Sequence, residues 1–212
     1  MIIEGKKFNF LGDSITEGAG TSGAEACYHQ VLARAEKAAV CRNYGVGGTR
    51  IAKQTGKSEP PRWDMNFIER AAEMDDDADA VIVFGGTNDF GHGDAKFGTF
   101  SDTSPYTFYG ALHCLIGDLL AKYPSALLAF MTPVHRADEK PHDGKPALSQ
   151  YVAAIKEVCG YYALPVLDLY TVSGIQPAVP VLRERYAPDG LHPNDAGHRL
   201  IAARLAGFLK TL

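Results

Sequence analysis

The order of strand-like and helix-like stretches predicts an α/β protein built on one five-stranded parallel sheet with helices on both faces. Three observations carry that prediction. Short apolar runs alternate with stretches of helical periodicity along all 212 residues. The run Ala80–Phe84 is apolar at every position, as in strands buried on both faces of a parallel sheet. Glycine-rich turns close three of the strands: Gly12-Asp13-Ser14, Gly45-Val46-Gly47-Gly48 and Gly85-Gly86-Thr87-Asn88. With the common strand order 2-1-3-4-5, the winding reverses at the first and third strands, and a crevice opens at their carboxyl ends.

Taken in order, Lys7–Leu11 reads as the first strand. Tyr28, Val31, Leu32 and Ala35 then fall on one helix face. Val40–Tyr44 is the second strand, and a helix is expected between Pro61 and Met74, with Trp63, Phe67 and Ala71 aligned. Asp75-Asp76-Asp77 reads as a solvated connection rather than a metal site, because consecutive carboxylates diverge. Ala80–Phe84 is the third strand, followed by a glycine- and aromatic-rich loop from Phe90 to Thr103. Ser104 as cap and Pro105 at the first helical position start a helix that turns Leu112, Leu115, Ile116, Leu119 and Leu120 inward. Ala126–Met131 is the fourth strand, Ser149–Tyr162 a helix, and Pro165–Leu169 the fifth strand. After an irregular segment at 171–188, a last helix buries Leu200, Ile201, Leu205, Phe208 and Leu209.

Composition narrows the function classes. The length suits one buried core, and no Pro/Gly/Ser-rich stretch divides residues 1–212, so a single domain is expected. A net charge of −4 with dispersed signs argues against nucleic acid or an anionic membrane as the main partner. The N-terminus lacks the pattern of a signal peptide and no apolar run is long enough to span a bilayer, which gives a cytoplasmic expectation without membrane insertion. Cys27, Cys41, Cys114 and Cys159 have no CxxC spacing and read as free thiols. The histidines are too scattered for a metal cage, so neither metal nor cofactor is expected.

The chemistry gathers where those turns meet. Ser14 follows strand one, Gly47-Gly48 follow strand two and Asn88 follows strand three. A serine hydroxyl needs an imidazole to take its proton, and the imidazole needs a partner that fixes its tautomer. Asp189-x-x-His192 supplies both within one turn of chain. An oxyanion would then find donors in the N–H of Ser14, the N–H of Gly48 and the Asn88 amide, with Gly47 an open alternative to Gly48.

In type and order, Gly12-Asp13-Ser14, the Gly48 block, Gly86-Thr87-Asn88-Asp89 and Asp189-x-x-His192-Pro193 resemble the four blocks of the SGNH hydrolases, or GDSL esterases and lipases. The resemblance spans nearly the whole chain; Ile15 replaces the leucine of the motif's name, a volume-conserving change. It implies a flavodoxin-like three-layer α/β/α fold, Ser14 as nucleophile, Gly48 and Asn88 as oxyanion donors, and Asp189 and His192 completing a triad. There is no GxSxG elbow, and Gly45-Val46-Gly47-Gly48 lacks the GxGxxG spacing, and the long helix directly after it, of a dinucleotide loop.

The expected activity is hydrolysis of short acyl esters, acetyl first, from a small-molecule or carbohydrate ester. Asp13, Phe90, His92 and His135 stand as expected substrate contacts, with packing under the loop weighed equally for the aromatics. The alternatives are a thioesterase or lysophospholipase of the same fold, or a carbohydrate- or acyl-binding module without turnover. The loop after Asn88 and the segment 171–188 could roof the site, and the latter could contact a second subunit of a homo-oligomer.

Overall fold

The computed structural model describes every residue from Met1 to Leu212. Its five strands are β1 (Lys7–Gly12), β2 (Val40–Gly45), β3 (Ala80–Phe84), β4 (Leu127–Met131) and β5 (Val166–Leu167). All pair in parallel in the order β2-β1-β3-β4-β5. Phe8 lies opposite Cys41 on one side and Ala80 on the other, so β1 and β3 are the central strands whose ends face each other.

Alternation along the strands splits the core in two. Leu11, Val81, Val83 and Phe130 pack against α3 (Phe67–Ala72), α5 (Phe108–Lys122) and α6 (Leu148–Tyr161). Phe8, Phe10, Ile82 and Phe84 pack on the other face against α2 (Tyr28–Glu36) and α9 (Asp195–Lys210). The result is the three-layer α/β/α arrangement that the alternating elements predict. No helix is long and apolar enough to cross a membrane.

Five local expectations are corrected. The helix expected from Ser104 begins instead at Phe108, with the Thr107 hydroxyl accepting from the Gly110 N–H at 3.2 Å. The Pro105 carbonyl is taken by the Lys53 N–H at 2.8 Å and is not free to open a helix. Leu120 points outward, 38% exposed, because one residue beyond Leu119 rotates the side chain off the buried stripe. Pro61–Met74 is not one helix: a 3-10 turn at Pro61–Asp64 breaks before Asn66, whose side chain caps α3 through the Glu69 N–H at 3.0 Å. That break lets Trp63 leave the helix face and lie across the second strand's turn. β5 stops at Leu167 because Asp168 caps a short helix α7 (Leu169–Val172), and the irregular segment holds a further helix α8 (Pro180–Tyr186).

The interior holds titratable groups of opposite tendency. Burial pushes His29 and His198 down to about 4. It pushes Asp13 and Asp89 up to about 6 against the backbone N–H bonds that favour their charged forms. As pH falls from 6.5 to 4, the unfolded chain takes up protons on the two histidines that the native chain refuses, which destabilises. As pH falls from 6 to 3.8, the native chain takes up protons on Asp13 and Asp89 before the unfolded chain does, which stabilises. The two effects oppose each other near pH 5. Asp89→Asn should therefore lose stability more steeply on acidification than wild type, by up to about 1.4 kcal/mol per pH unit around pH 5. Urea unfolding at pH 4, 5, 6 and 7 measures the slopes; parallel curves for the two proteins would contradict the assignment.

Candidate functional site

At the end of β1 the chain turns sharply. A Cβ at Gly12 would run into the Thr16 side chain, so glycine is required there. Asp13 caps α1 (Ser14–Glu17) by accepting the Ile15 N–H at 3.0 Å, and Ser14 becomes the first helical residue. Its N–H, like any at that position, has no partner within its own helix. Ser14 is 9% exposed, so its hydroxyl is presented from a nearly buried turn.

The hydroxyl meets a residue 178 positions away. Ser14 Oγ lies 3.0 Å from His192 Nε2, and His192 Nδ1 lies 2.7 Å from Asp189 Oδ2. Asp189 Oδ1 also accepts the N–H groups of Leu191 at 2.8 Å and His192 at 2.7 Å, which folds the DxxH turn around the carboxylate. Partial burial pushes the Asp189 carboxyl up, but the Leu191 N–H and the His192 ring and N–H outweigh it and hold the group below the usual carboxylate range. The turn is anchored on both sides. Gly190 O accepts from the Ala137 N–H at 2.8 Å, and Asn194 caps α9 immediately afterwards. A hydroxyl so placed can pass its proton to the imidazole, and the carboxylate can hold the resulting cation.

Opposite His192, the turns after β2 and β3 supply donors. The Gly47 N–H is taken by Glu17 Oε2 at 2.8 Å, whereas the Gly48 N–H meets no acceptor within the protein. Asn88 lies in the short helix α4 (Thr87–Gly91) and is 4% exposed. One of its amide hydrogens goes to Thr49 O at 3.0 Å, leaving the other free. Next to Asn88, the buried Asp89 accepts the N–H groups of Ile51 at 3.0 Å and Ala52 at 2.9 Å, tying the two turns together.

Gly48 has φ +79°, and a Cβ there would collide with the indole of Trp63. Gly48→Ala should therefore cost about 1–2 kcal/mol from the left-handed backbone alone, and more from displacing the indole. The urea midpoint of the variant measures this; an unchanged midpoint would mean that Trp63 does not rest on Gly48.

The expected substrate contacts divide. Asp13 is 2% exposed and serves as the helix cap beneath Ser14, and Phe90 is 2% exposed in the core beside Tyr151, with the Arg136 guanidinium over its ring. Neither offers a surface to a ligand: the expectation for Asp13 is corrected to that of a helix cap, and of the two readings for Phe90 packing holds in place of substrate contact. His92 stays at the rim, 4.5 Å from the Trp63 ring and bound through Nδ1 to Arg50 at 3.0 Å. Desolvation, with Arg50, Lys145 and Arg136 nearby, pushes it down to about 4. His135 faces inward on the other side, with Nδ1 2.9 Å from Glu139 and its ring 3.8 Å from that of Tyr170.

Trp63, Arg50 and Arg70 are the neighbours that the sequence pattern does not single out. Trp63 borders a recess of about 270 Å³ shared with Arg50, Ser58 and His92. The fully buried Arg50 binds Ser58 Oγ at 2.8 Å and Asp64 at 3.0 Å.

The fold has counterparts in known proteins. A crystal structure from Lactobacillus plantarum is 32% identical, covers 99% of this chain and 98% of its own, and superposes with a TM-score of 0.86. A lipase/acylhydrolase from Enterococcus faecalis is 22% identical over 97% of this chain and 96% of its own, with a TM-score of 0.65. A possible lipase from Chitinophaga pinensis is 20% identical over 97% and 98%, with a TM-score of 0.70. These two lower identities speak to fold alone. No curated protein matches the chain. Residues 10–200, which carry all four sequence blocks, match the GDSL-like lipase/acylhydrolase family, and the chain belongs to that family.

Proposed function

We propose that the protein is a serine ester hydrolase that removes short acyl groups, acetyl foremost, from a small polar alcohol such as a carbohydrate, through an acyl-enzyme intermediate. The observation that carries this reading is the continuous chain from Ser14 Oγ to His192 Nε2 at 3.0 Å and from His192 Nδ1 to Asp189 Oδ2 at 2.7 Å. His192 takes the Ser14 proton as Oγ attacks the ester carbon, and returns it to the departing alkoxide. Asp189 keeps the imidazole in the tautomer whose Nε2 can accept. The oxyanion is held by the N–H of Ser14, the N–H of Gly48 and the free amide hydrogen of Asn88. Water then repeats the attack on the acyl-enzyme, with His192 again as base.

Two features favour a short acyl group and a polar alcohol over a lipid. The Trp63 indole lies against Gly48, beside the proposed oxyanion donor. The recess next to it is lined by Arg50, Gln54, Lys57, Ser58 and Asp94, with no aliphatic side chain among its walls. Hydrolysis of p-nitrophenyl acetate, butyrate and octanoate tests the reading: kcat/KM should fall as the chain lengthens. A preference for octanoate would move the assignment to the lysophospholipase alternative, and a preference for thioesters over oxygen esters to the thioesterase.

A further inference from the structure

We infer that Arg70 is a positioning residue that sets the spacing between the nucleophile turn and the oxyanion donors, an inference that rests on the ester-hydrolase reading above. Arg70 projects from α3 and is 5% exposed. Its guanidinium forms no ion pair. Nη2 donates to Gly12 O at 3.0 Å and to Thr49 Oγ1 at 2.8 Å, Nη1 to Tyr44 O, and Nε to Met65 O at 3.0 Å. The plane lies over the Phe67 ring, with Cζ 4.7 Å from its centroid.

Those acceptors are distributed in a way that packing alone does not require. Gly12 O lies two residues before Ser14 at the end of β1, and Tyr44 O belongs to the end of β2. Thr49 follows Gly48, donates its own hydroxyl to Val46 O at 2.6 Å, and through its carbonyl holds the Asn88 amide at 3.0 Å. One rigid planar fork thus touches the supports of all three oxyanion donors. An oxyanion hole works only if its donors stand at fixed positions around the developing charge, so a shift of about 1 Å is costly. A buried cation with no carboxylate in direct contact is expensive, and well-packed apolar residues would fill the same volume at lower cost. Four of five guanidinium hydrogens are engaged, a spread that a lysine's single ammonium cannot reproduce.

The test compares Arg70→Lys and Thr49→Val with wild type, Ser14→Ala and Asn88→Ala on p-nitrophenyl acetate, with circular dichroism establishing that each variant is folded at the assay temperature. Thr49→Val removes the hydroxyl, and with it both the Arg70 link and the bond to Val46 O, and retains the buried cation. Both variants should lower kcat by about 10–100-fold with KM changed less than about threefold. In the Asn88→Ala background the same substitutions should cost markedly less, because one of the donors they position is already absent. Folded variants with wild-type kcat, or losses that multiply fully with Asn88→Ala, would reduce Arg70 to a structural residue. Ester hydrolysis by Ser14→Ala equal to that of wild type, or none by either, would instead overturn the ester-hydrolase reading and this inference with it. A kcat loss confined to Arg70→Lys, with Thr49→Val at the wild-type rate, would also overturn the proposed link through Thr49.

Discussion

Replacing Ser14 by alanine is expected to lower kcat for p-nitrophenyl acetate by about 10⁴–10⁶-fold while leaving stability almost unchanged. The two halves of that expectation have separate physical grounds. Ser14 Oγ makes one hydrogen bond, to His192, and the cap of α1 is provided by Asp13, not by the serine. Alanine therefore fits the turn without freeing a buried donor, and its helix propensity is no worse than serine's. The remaining donors can still hold a carbonyl oxygen, but they have no nucleophile to offer it. Melting temperature and burst-phase acylation measured together check the expectation. A variant that melts like wild type and still turns over ester would show that the nucleophile lies elsewhere.

The parts of the fold and site that the sequence revealed share one property: they depend on residues whose meaning is local. Ala80–Phe84 can be read as a buried parallel strand from five apolar positions, and the turns after β1, β2 and β3 from their glycines. The strand order then brings Ser14, Gly48 and Asn88 together without further information. The choice between Gly47 and Gly48 could not be made that way. It depends on Glu17, a surface residue of α1 whose carboxylate reaches across to occupy the Gly47 N–H.

Trp63 shows a second kind of illegibility. Its spacing to Phe67 and Ala71 reads as a helix face, but Asn66 caps α3 and interrupts that periodicity, so the indole lies on Gly48 instead. Arg70 was hidden for the opposite reason. Its position suits an exposed helix residue, and only the convergence of the carbonyls of Gly12, Tyr44 and Met65 turns it inward. For Phe90 and Asp13 the sequence leaves the role open, because a side chain next to a reactive residue is as often its support as its contact with substrate. Burial decides, and burial is a property of the fold.

Asp189→Asn should lower kcat by about 10³–10⁴-fold with KM little altered. The amide can keep its carbonyl on the N–H groups of Leu191 and His192, where Asp189 Oδ1 now accepts at 2.8 and 2.7 Å, so the turn should keep its shape. Its NH₂ then points at His192 Nδ1, which must become the acceptor. The ring proton moves to Nε2, and His192 donates to Ser14 Oγ where it previously could accept. The nucleophile is left in place with no base to deprotonate it. The 55% exposure of the Asp189 side chain lets water compete for Nδ1 and restore the productive tautomer in part, which places the loss below that of Ser14→Ala. Pre-steady-state acylation and the chemical shifts of the His192 ring nitrogens check this together. An active variant with the ring proton still on Nδ1 would remove Asp189 as the orienting group, because the tautomer would then be set by some other acceptor.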